Sequence, residues 1–297
     1  MNGVLIIDKP SGLTSHDVVN RARRILQQRS VGHLGTLDPM ATGVLPLVVG
    51  NLTRLAQFYT SSEKQYQGTI RFGFSTDTYD ADGEQASEPK PVASKLEEIQ
   101  SLASEFVGVI EQLPPPFSAK KIRGVPAYKL ARKQQPVALK SVKVEIKELE
   151  ILAIAGDRAS FRARVASGTY MRSVAHEMGQ RLGCGAHLET LRRTAVAEFR
   201  LEDARTLEQV SEHAANGSLD EVFVHPRKLL PQFPTVTADE ATAARIRSGR
   251  TVNLPELSRA RQVKVFFGQR ELLAIATRVA GTLFHPKIVL SGSDAAA

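Results

Sequence analysis

The sequence predicts an α+β fold without an internal repeat, followed by a small β-rich module. Apolar residues alternate with a period of two in the three clearest strands, at 66–74, 142–146 and 161–165. Apolar residues recur at spacings of three and four in the three clearest helices, at 18–26, 96–106 and 174–182. Beyond residue 234, short strand-like runs dominate, and these make the end of the chain β-rich.

The first element is a short apolar run at residues 4–7, which predicts a buried strand. Residues 9–12 interrupt it, and either Thr14 or Ser15 can then cap the first helix. This helix is amphipathic and its polar face is basic. The next segment, 31–50, is rich in glycine and has little periodicity, so its pattern predicts no regular element.

A domain boundary is predicted near residues 231–234, which begin and end with proline. After it, Thr237 and Glu240 predict a capping box for a short helix that Gly249 closes. The predicted units are a large domain at 1–231, a small module at 232–290 and a disordered tail at 291–297.

The charge balance favours a polyanionic partner. The 297 residues include 39 Lys and Arg against 31 Asp and Glu, which gives a net charge of +8. Such a surface favours nucleic acid ahead of membrane. No apolar run is long enough to span a bilayer and the N-terminus is not a secretory signal, so we expect a cytoplasmic protein. The single cysteine, Cys184, excludes an intrachain disulfide and suits a reducing compartment.

Several classes of site are excluded by the motifs that they require. No Gly-Lys dipeptide occurs, so there is no Walker A phosphate loop. His176 and Glu177 begin a zinc-protease motif, but Gln180 stands where its second histidine belongs. Residues 78–83 resemble half a calcium loop without its ligands at positions one and twelve, and we interpret them as a solvated turn. We therefore expect neither metal nor cofactor, and chemistry done by side chains alone.

The most unusual stretch surrounds Asp38, in segment 32–43. Its glycines permit tight or left-handed backbone, and Pro39 forces Asp38 toward an extended conformation. A carboxylate on such a stiff loop is held in one direction. Local physics alone leaves an ordinary surface turn as the alternative, because Asp and Gly are common turn residues.

Segment 32–43 closely resembles the motif around the catalytic aspartate of the tRNA pseudouridine-55 synthase (TruB) family. Six further stretches resemble motifs of that family in the same order, at 9–15, 64–66, 115–124, 127–132, 168–173 and 187–194. The resemblance spans nearly the whole chain. Departures are small and concern Leu34, residues 133–135 and Ala197.

The resemblance implies a catalytic domain with a mixed, mainly antiparallel central sheet flanked by helices. It also implies an RNA-gripping insertion at about 113–140, and it makes the C-terminal module similar to a PUA-like RNA-binding domain. The implied activity is the isomerisation of uridine-55 in the T-psi-C loop of tRNA to pseudouridine, after the base is flipped out. The reaction needs no redox change or energy input, which agrees with the missing cofactor motifs.

Site residues follow from the resemblance residue by residue. Asp38 is the implied catalytic group; attack on the sugar, attack on the ring and assistance to elimination all remain open. An ionised carboxylate in a pocket needs a neighbouring cation, and Arg172 is the matching family residue. Tyr66 matches the tyrosine that stacks on the uracil, and His33 the histidine that inserts into the RNA. Tyr170 is placed beside the flipped base. It precedes Arg172 by two residues, and on a strand the two side chains would point to the same side.

The insertion supplies the expected contacts to the RNA backbone. These cations are Lys120, Lys121, Arg123, Lys129 and Arg132. The expected partner is the T-arm of tRNA, without membrane or obligatory protein partner, and we expect a monomer. Two alternatives stay open: a guide-RNA-dependent pseudouridine synthase, and a non-catalytic chaperone that folds tRNA.

Overall fold

Two packed β-sheets form the framework of the fold. The structure, a computed structural model, describes residues 1–92, 95–118, 120–122, 124–127, 139–256 and 258–290. The strands are β1 (Gly3–Lys9), β2 (Val31–His33), β3 (Thr42–Val49), β4 (Lys64–Phe72), β5 (Gly108–Gln112), β6 (Lys121–Ile122), β7 (Val125–Pro126), β8 (Val142–Ala155), β9 (Arg158–Val165), β10 (Ala186–Val196), β11 (Phe199–Arg200), β12 (Thr235–Ala238), β13 (Val252–Asn253), β14 (Gln262–Phe267), β15 (Glu271–Ala280) and β16 (Leu283–Val289). The helices are α1 (Ser15–Ile25), α2 (Ala56–Tyr59), α3 (Leu96–Ser104), α4 (Met171–Arg181), α5 (Leu207–Ala215) and α6 (Glu240–Arg247).

The larger sheet has nine strands in the order β1-β3-β10-β4-β9-β8-β5, with β2 paired to β3 and β11 to β10. Strands β3 and β10 pair in parallel, and the other pairs recorded in this sheet are antiparallel. Helices α3 and α4 contact this sheet at β8 and β10. The prediction of an α+β fold with a mixed, mainly antiparallel sheet flanked by helices is therefore confirmed.

Strand β3 lies in the segment for which the sequence predicted no regular element. Seven of its eight residues are buried. Leu45 and Leu47 belong to the core beneath the helices, while Val44 and Val48 belong to a second core shared with the smaller sheet. Because both faces are apolar, the alternation that identifies a half-buried strand is missing.

The smaller sheet is made from the end of the chain, in the order β12-β14-β15-β16-β13. Phe266 and Ile275 from this sheet pack in one core with Val4 and Val44 of the larger sheet. The buried Lys264 side chain donates hydrogen bonds to the connecting segment, at the carbonyl oxygen of Leu229 (2.7 Å) and at that of Arg227 (3.1 Å). The two sheets therefore share an apolar interface.

Two helix caps can be compared with the sequence. Thr14 caps α1 in a reciprocal capping box with Asp17, which decides between the two predicted caps. The capping box predicted at Thr237 is wrong, since Asp239 caps α6 by accepting a hydrogen bond from the Thr242 amide (2.8 Å). Thr237 pairs with Phe266 in the sheet and is unavailable as a cap.

No helix in the described ranges has the length and apolar character needed to cross a membrane. The predicted disordered tail, 291–297, lies outside the described residues.

Gly43 provides a test of how β3 fits against β10. Its φ is +100°, and a Cβ atom there would lie 2.2 Å from the carbonyl oxygen of Arg193. Gly108 has a similar φ of +109° with nothing within 4 Å, so it is a matched control for backbone strain alone. We expect Gly43→Ala to lower the free energy of unfolding by about 1–3 kcal/mol more than Gly108→Ala. Equal losses in urea denaturation would contradict this account.

Candidate active site

The Asp38 loop, residues 34–41, connects β2 to β3 and lies against the start of α1. The Ser15 hydroxyl donates to the carbonyl oxygen of Leu37 (3.1 Å) and accepts from the Leu37 amide (2.8 Å). On the other side of Asp38, the Gly12 amide donates to the carbonyl oxygen of Pro39 (2.9 Å). The backbone is thus held immediately before and after the carboxylate.

Lys9, at the end of β1, holds the same loop through its side chain. Its buried ammonium donates to the carbonyl oxygens of Leu13 (2.6 Å), Pro10 (2.8 Å) and Pro39 (3.0 Å). Burial lowers the pKa of Lys9 to about 8, although the negative charge of Asp38 acts in the opposite direction. The ammonium contributes to the loop's position through main-chain acceptors.

Arg193 on β10 is the second buried cation of the loop, and the sequence did not single it out. Its guanidinium donates to the carbonyl oxygens of Val44 (2.8 Å), Gly35 (3.0 Å) and Thr36 (3.2 Å). It also lies near the Tyr66 hydroxyl, and its charge acts to lower the pKa of that phenol. Burial lowers the pKa of Arg193, and the field of Asp38 opposes that shift. One side chain therefore binds the Asp38 loop and lies beside Tyr66.

Arg172 makes the direct contact to Asp38. Its Nη2 lies 2.9 Å from Oδ1 of Asp38 and donates to the carbonyl oxygen of Phe117 (3.0 Å). Its Nη1 donates to the carbonyl oxygen of Thr78 (3.1 Å) and lies 3.3 Å from Oδ2 of Asp80. The Arg172 side chain is only 5% exposed, against 31% for Asp38, so the carboxylate is reachable from solvent while its partner is not. The cation that the sequence predicted beside Asp38 is present.

The local geometry at Arg172 differs from the prediction. Arg172 lies in the first turn of α4 and Tyr170 immediately precedes this helix, at its N-cap position, so the two do not share one side of a strand. The Tyr170 backbone is instead held by Gln112, whose side chain accepts from the Tyr170 amide (2.8 Å) and donates to its carbonyl (3.1 Å). Residues 168–173 carry no periodic pattern that distinguishes a helix start from a strand end.

Asp80 is a second carboxylate that the sequence missed, because residues 78–83 were interpreted as a solvated turn. That interpretation is wrong for Asp80, whose side chain is buried. It accepts hydrogen bonds from the Thr78 hydroxyl (2.6 Å) and the Asp82 amide (3.1 Å). Burial raises the pKa of Asp80, while the Thr78 hydrogen bond and the charge of Arg172 act in the opposite direction.

Tyr66 and Tyr170 are close enough to Asp38 to be influenced by its charge, and burial raises the pKa of both phenols. Tyr66 lies on β4 next to β10, and the Tyr170 side chain lies near the Ser118 hydroxyl. His33 ends β2, its buried Nδ1 has no hydrogen-bond partner among the described residues, and burial lowers its pKa. The structure gathers the two tyrosines around the carboxylate and places His33 at the entrance of the loop.

A cleft of about 610 Å³ opens beside the Asp38 loop. Met40, Gln67, Asp82 and Leu191 contribute to its walls. No cluster of three or more His, Cys, Asp or Glu side chains that could hold a metal ion occurs among the described residues. The arrangement supplies a solvent-accessible carboxylate, a buried cation and aromatic rings next to an open cleft.

The insertion is described only in part. Lys120 is half-buried, and the backbone of Lys121 belongs to the β6–β7 hairpin. Three other predicted RNA-backbone residues, Arg123, Lys129 and Arg132, lie outside the described residues.

Comparison with known protein families gives two matches. A model described as TruB family pseudouridylate synthase (N terminal domain) matches residues 23–171. A second, described as tRNA pseudouridylate synthase B C-terminal domain, matches residues 172–231.

Individual relatives and solved structures agree with these matches. The tRNA pseudouridine synthase B of Solibacter usitatus is 52% identical over 98% of this chain and 100% of its own length. The tRNA pseudouridine synthase B of Bacillus cytotoxicus is 39% identical over 97% of this chain and 94% of its own length. Among solved structures, an H/ACA RNP bound to a substrate RNA containing 2′-deoxyuridine aligns with a TM-score of 0.72 at 25% identity, over 98% of this chain and 86% of that chain. A Cbf5-Nop10-Gar1 complex aligns with a TM-score of 0.70 at 26% identity, over 98% of this chain and 86% of that chain.

Asp80→Asn tests the electrostatics of the buried cluster, in which two carboxylates share one guanidinium. Because the folded-state pKa of Asp80 is raised, its carboxyl stabilises the protein at low pH and loses that contribution as pH rises through the folded-state pKa. We expect wild type to lose stability relative to Asp80→Asn as pH rises above 3.8, the ordinary value.

Asp157→Asn is the control of opposite sign, since its hydrogen bond with Arg71 lowers the pKa of Asp157. Wild type should gain stability with rising pH relative to that variant. Urea denaturation across the acid range measures both differences, and the same sign for the two variants would refute the interpretation.

Proposed function

Because the chain belongs to the TruB family of pseudouridylate synthases, we propose that it converts uridine-55 in the T-psi-C loop of tRNA to pseudouridine. The observation that carries the proposal is the Asp38 carboxylate, which is partly exposed to solvent and paired at 2.9 Å with the buried Arg172 guanidinium. The curated relatives are named tRNA pseudouridine synthase B, which supports tRNA as the substrate.

The reaction breaks the N1–C1′ bond, turns the uracil and joins C5 to C1′. The proton leaves C5 and N1 ends protonated, so atoms and electrons balance without a co-reactant. Asp38 is the group that traps or stabilises the detached sugar or base. Attack on the sugar, attack on the ring and assistance to elimination all require its negative charge, so the proposal depends on that charge.

Arg172 and Asp80 orient this carboxylate. Arg172 has main-chain or carboxylate acceptors from three other segments, so its guanidinium has little freedom to follow a moving partner. Asp38 is thereby presented in one direction, as a preorganised catalytic charge requires.

The remaining roles concern the substrate. Tyr66 stacks on the target uracil, and its hydroxyl lies near the Arg193 guanidinium. Tyr170 lies beside the flipped base, and His33 inserts into the RNA where the base leaves. Flipping costs roughly a few kcal/mol, which contacts elsewhere on the RNA must offset. The insertion at about 113–140 supplies them through Lys120, Lys121, Arg123, Lys129 and Arg132.

The domain assignment belongs to the same proposal. Residues 1–231 form the catalytic domain and 232–290 a PUA-like RNA-binding module. Two observations support the boundary: the second family match stops at residue 231, and the separate sheet begins at Thr235. The substrate is the T-arm of tRNA, the enzyme acts as a monomer without an obligatory partner, and a tRNA substrate implies work in the cytoplasm.

The proposal predicts activity on an unmodified tRNA transcript with chelator present and without guide RNA. The measurement is pseudouridine at position 55 after incubation with purified protein. The aligned H/ACA and Cbf5 structures are assemblies with partners. Activity that appears only when a small RNA is added would assign this chain to the guided class instead.

Asp38→Asn is the sharpest test of the catalytic assignment. The substitution keeps the size of the side chain and removes its charge, so single-turnover product formation should vanish. Binding should persist within about twofold, because affinity comes largely from phosphate contacts. Asp77→Asn is the control, since Asp77 is an exposed carboxylate in the neighbouring loop. Substantial product from a folded, tRNA-binding Asp38→Asn protein would refute the assignment, and full tRNA-folding activity without catalysis by wild type would favour the chaperone.

A further inference from the structure

Tyr79 has a backbone conformation that is rare for a large side chain. Its φ is +65°, in the left-handed region. That region costs a residue with a Cβ roughly 1–2 kcal/mol, so surrounding contacts must hold Tyr79 there. The hydrogen bonds at its backbone run from the Tyr79 amide to the carbonyl of Thr76 (3.3 Å) and from the Leu188 amide to the Tyr79 carbonyl (3.0 Å).

The Tyr79 ring stacks flat on the imidazole of His176. The ring centroids are 3.7 Å apart and the planes differ by 10°. Both side chains are half-buried, and the buried Nδ1 of His176 has no hydrogen-bond partner among the described residues. The recorded contact of this imidazole is therefore the tyrosine ring.

The stack lies between groups of the active site. Tyr79 separates Thr78 from Asp80, and these neighbours supply the two acceptors of Arg172 Nη1. His176 follows Arg172 by four residues on α4, so both side chains project from one face of the helix. Helix α4 thus holds this loop at two points, by an ion pair at Arg172 and by a ring stack at His176.

The left-handed residue determines where its neighbours point. With Tyr79 at φ +65°, the Thr78 carbonyl and the Asp80 carboxylate converge on one nitrogen, while the Tyr79 carbonyl turns away to Leu188. A relaxed backbone at Tyr79 would change the direction of at least one acceptor. Arg172 would then be free to shift, and Asp38 with it.

We infer that the Tyr79–His176 stack is a positioning device for the reaction, which holds Thr78 and Asp80 against Arg172 and so fixes the direction of Asp38. Neither ring touches the reacting atoms in this account; both act through Arg172. The inference rests on the proposed function, and it adds two residues to the machinery that function requires.

Four variants separate stacking from other properties of the two rings. His176→Phe and Tyr79→Phe keep two rings in contact, whereas His176→Ala removes one ring. Tyr79→Ala removes the other ring and keeps the Cβ, so the cost of the left-handed backbone remains without the stack. We expect single-turnover rates to fall about tenfold or more in His176→Ala and Tyr79→Ala, since small misplacements of reacting groups have effects of this size. Both Phe variants should stay within about threefold of wild type, and tRNA affinity should be unchanged in all four.

The double variant and the Asp80→Asn background test the route of the effect. Because both rings form one contact, His176→Ala with Tyr79→Ala should be no slower than the worse single variant. In Asp80→Asn protein, adding His176→Ala should change the rate far less than in wild type. Three results would each overturn the inference. The two variants that remove a ring could react at the wild-type rate, or the Phe variants could lose as much rate as those variants. The effect of His176→Ala could also be as large in the Asp80→Asn background as in wild type.

Amide exchange gives a readout that needs no substrate. The Leu188 amide donates to Tyr79, and the Ala81 amide donates to Leu188 (3.0 Å). Both should exchange faster in His176→Ala and keep wild-type protection in His176→Phe. If wild type makes no pseudouridine, the proposed function fails, while unchanged protection in His176→Ala would refute the stack as a positioning device.

Discussion

The two terminal nitrogens of a buried guanidinium need acceptors, and this requirement organises the active site around Arg172, whose Nε alone has no partner among the described residues. Arg172 obtains its acceptors from segments 134, 94 and 55 residues away in the chain, at Asp38, Thr78 and Phe117. Removing a guanidinium from water is costly unless each contact is in place. The site therefore forms only where the fold brings these segments together, and the carboxylate at its centre inherits the rigidity of its partner.

The Asp38 loop is stabilised by a different use of positive charge. Lys9 and Arg193 bind the loop mainly through carbonyl oxygens and leave the Asp38 carboxylate to Arg172. Carbonyl dipoles satisfy the two buried cations without adding negative charge near the reaction. Both cations still lie in the field of Asp38, so this partly exposed carboxylate has Lys9, Arg193 and Arg172 as buried positive neighbours.

The sequence predicted those parts of the structure that local pattern determines. Strands such as β4 alternate between a buried and an exposed face, and α1 carries both its cap and its apolar stripe, so periodicity identified them. The pairing of Asp38 with Arg172 followed from chemistry and family resemblance. Strand β3 was missed because apolar cores cover both of its faces.

Asp80 and Arg193 were missed for another reason. Each is a charged residue in a segment whose composition also suits the surface, and only long-range contacts bury it. The Thr78–Asp80 turn becomes part of the site because α4 lies against it, and that packing leaves no trace in the turn's own sequence. Local pattern cannot distinguish a solvated turn from one that another element covers.

The apolar core shared by the two sheets has a consequence for cooperativity. Strand β3 directly follows the Asp38 loop, and one of its faces packs in one core with Phe266 and Ile275 of the smaller sheet. Local unfolding of the smaller sheet would expose that face of β3. The smaller sheet therefore cannot unfold independently without destabilising the strand that follows the catalytic loop. The requirements of catalysis thus constrain the apolar residues of the smaller sheet that face β3, whatever ligand that sheet itself binds.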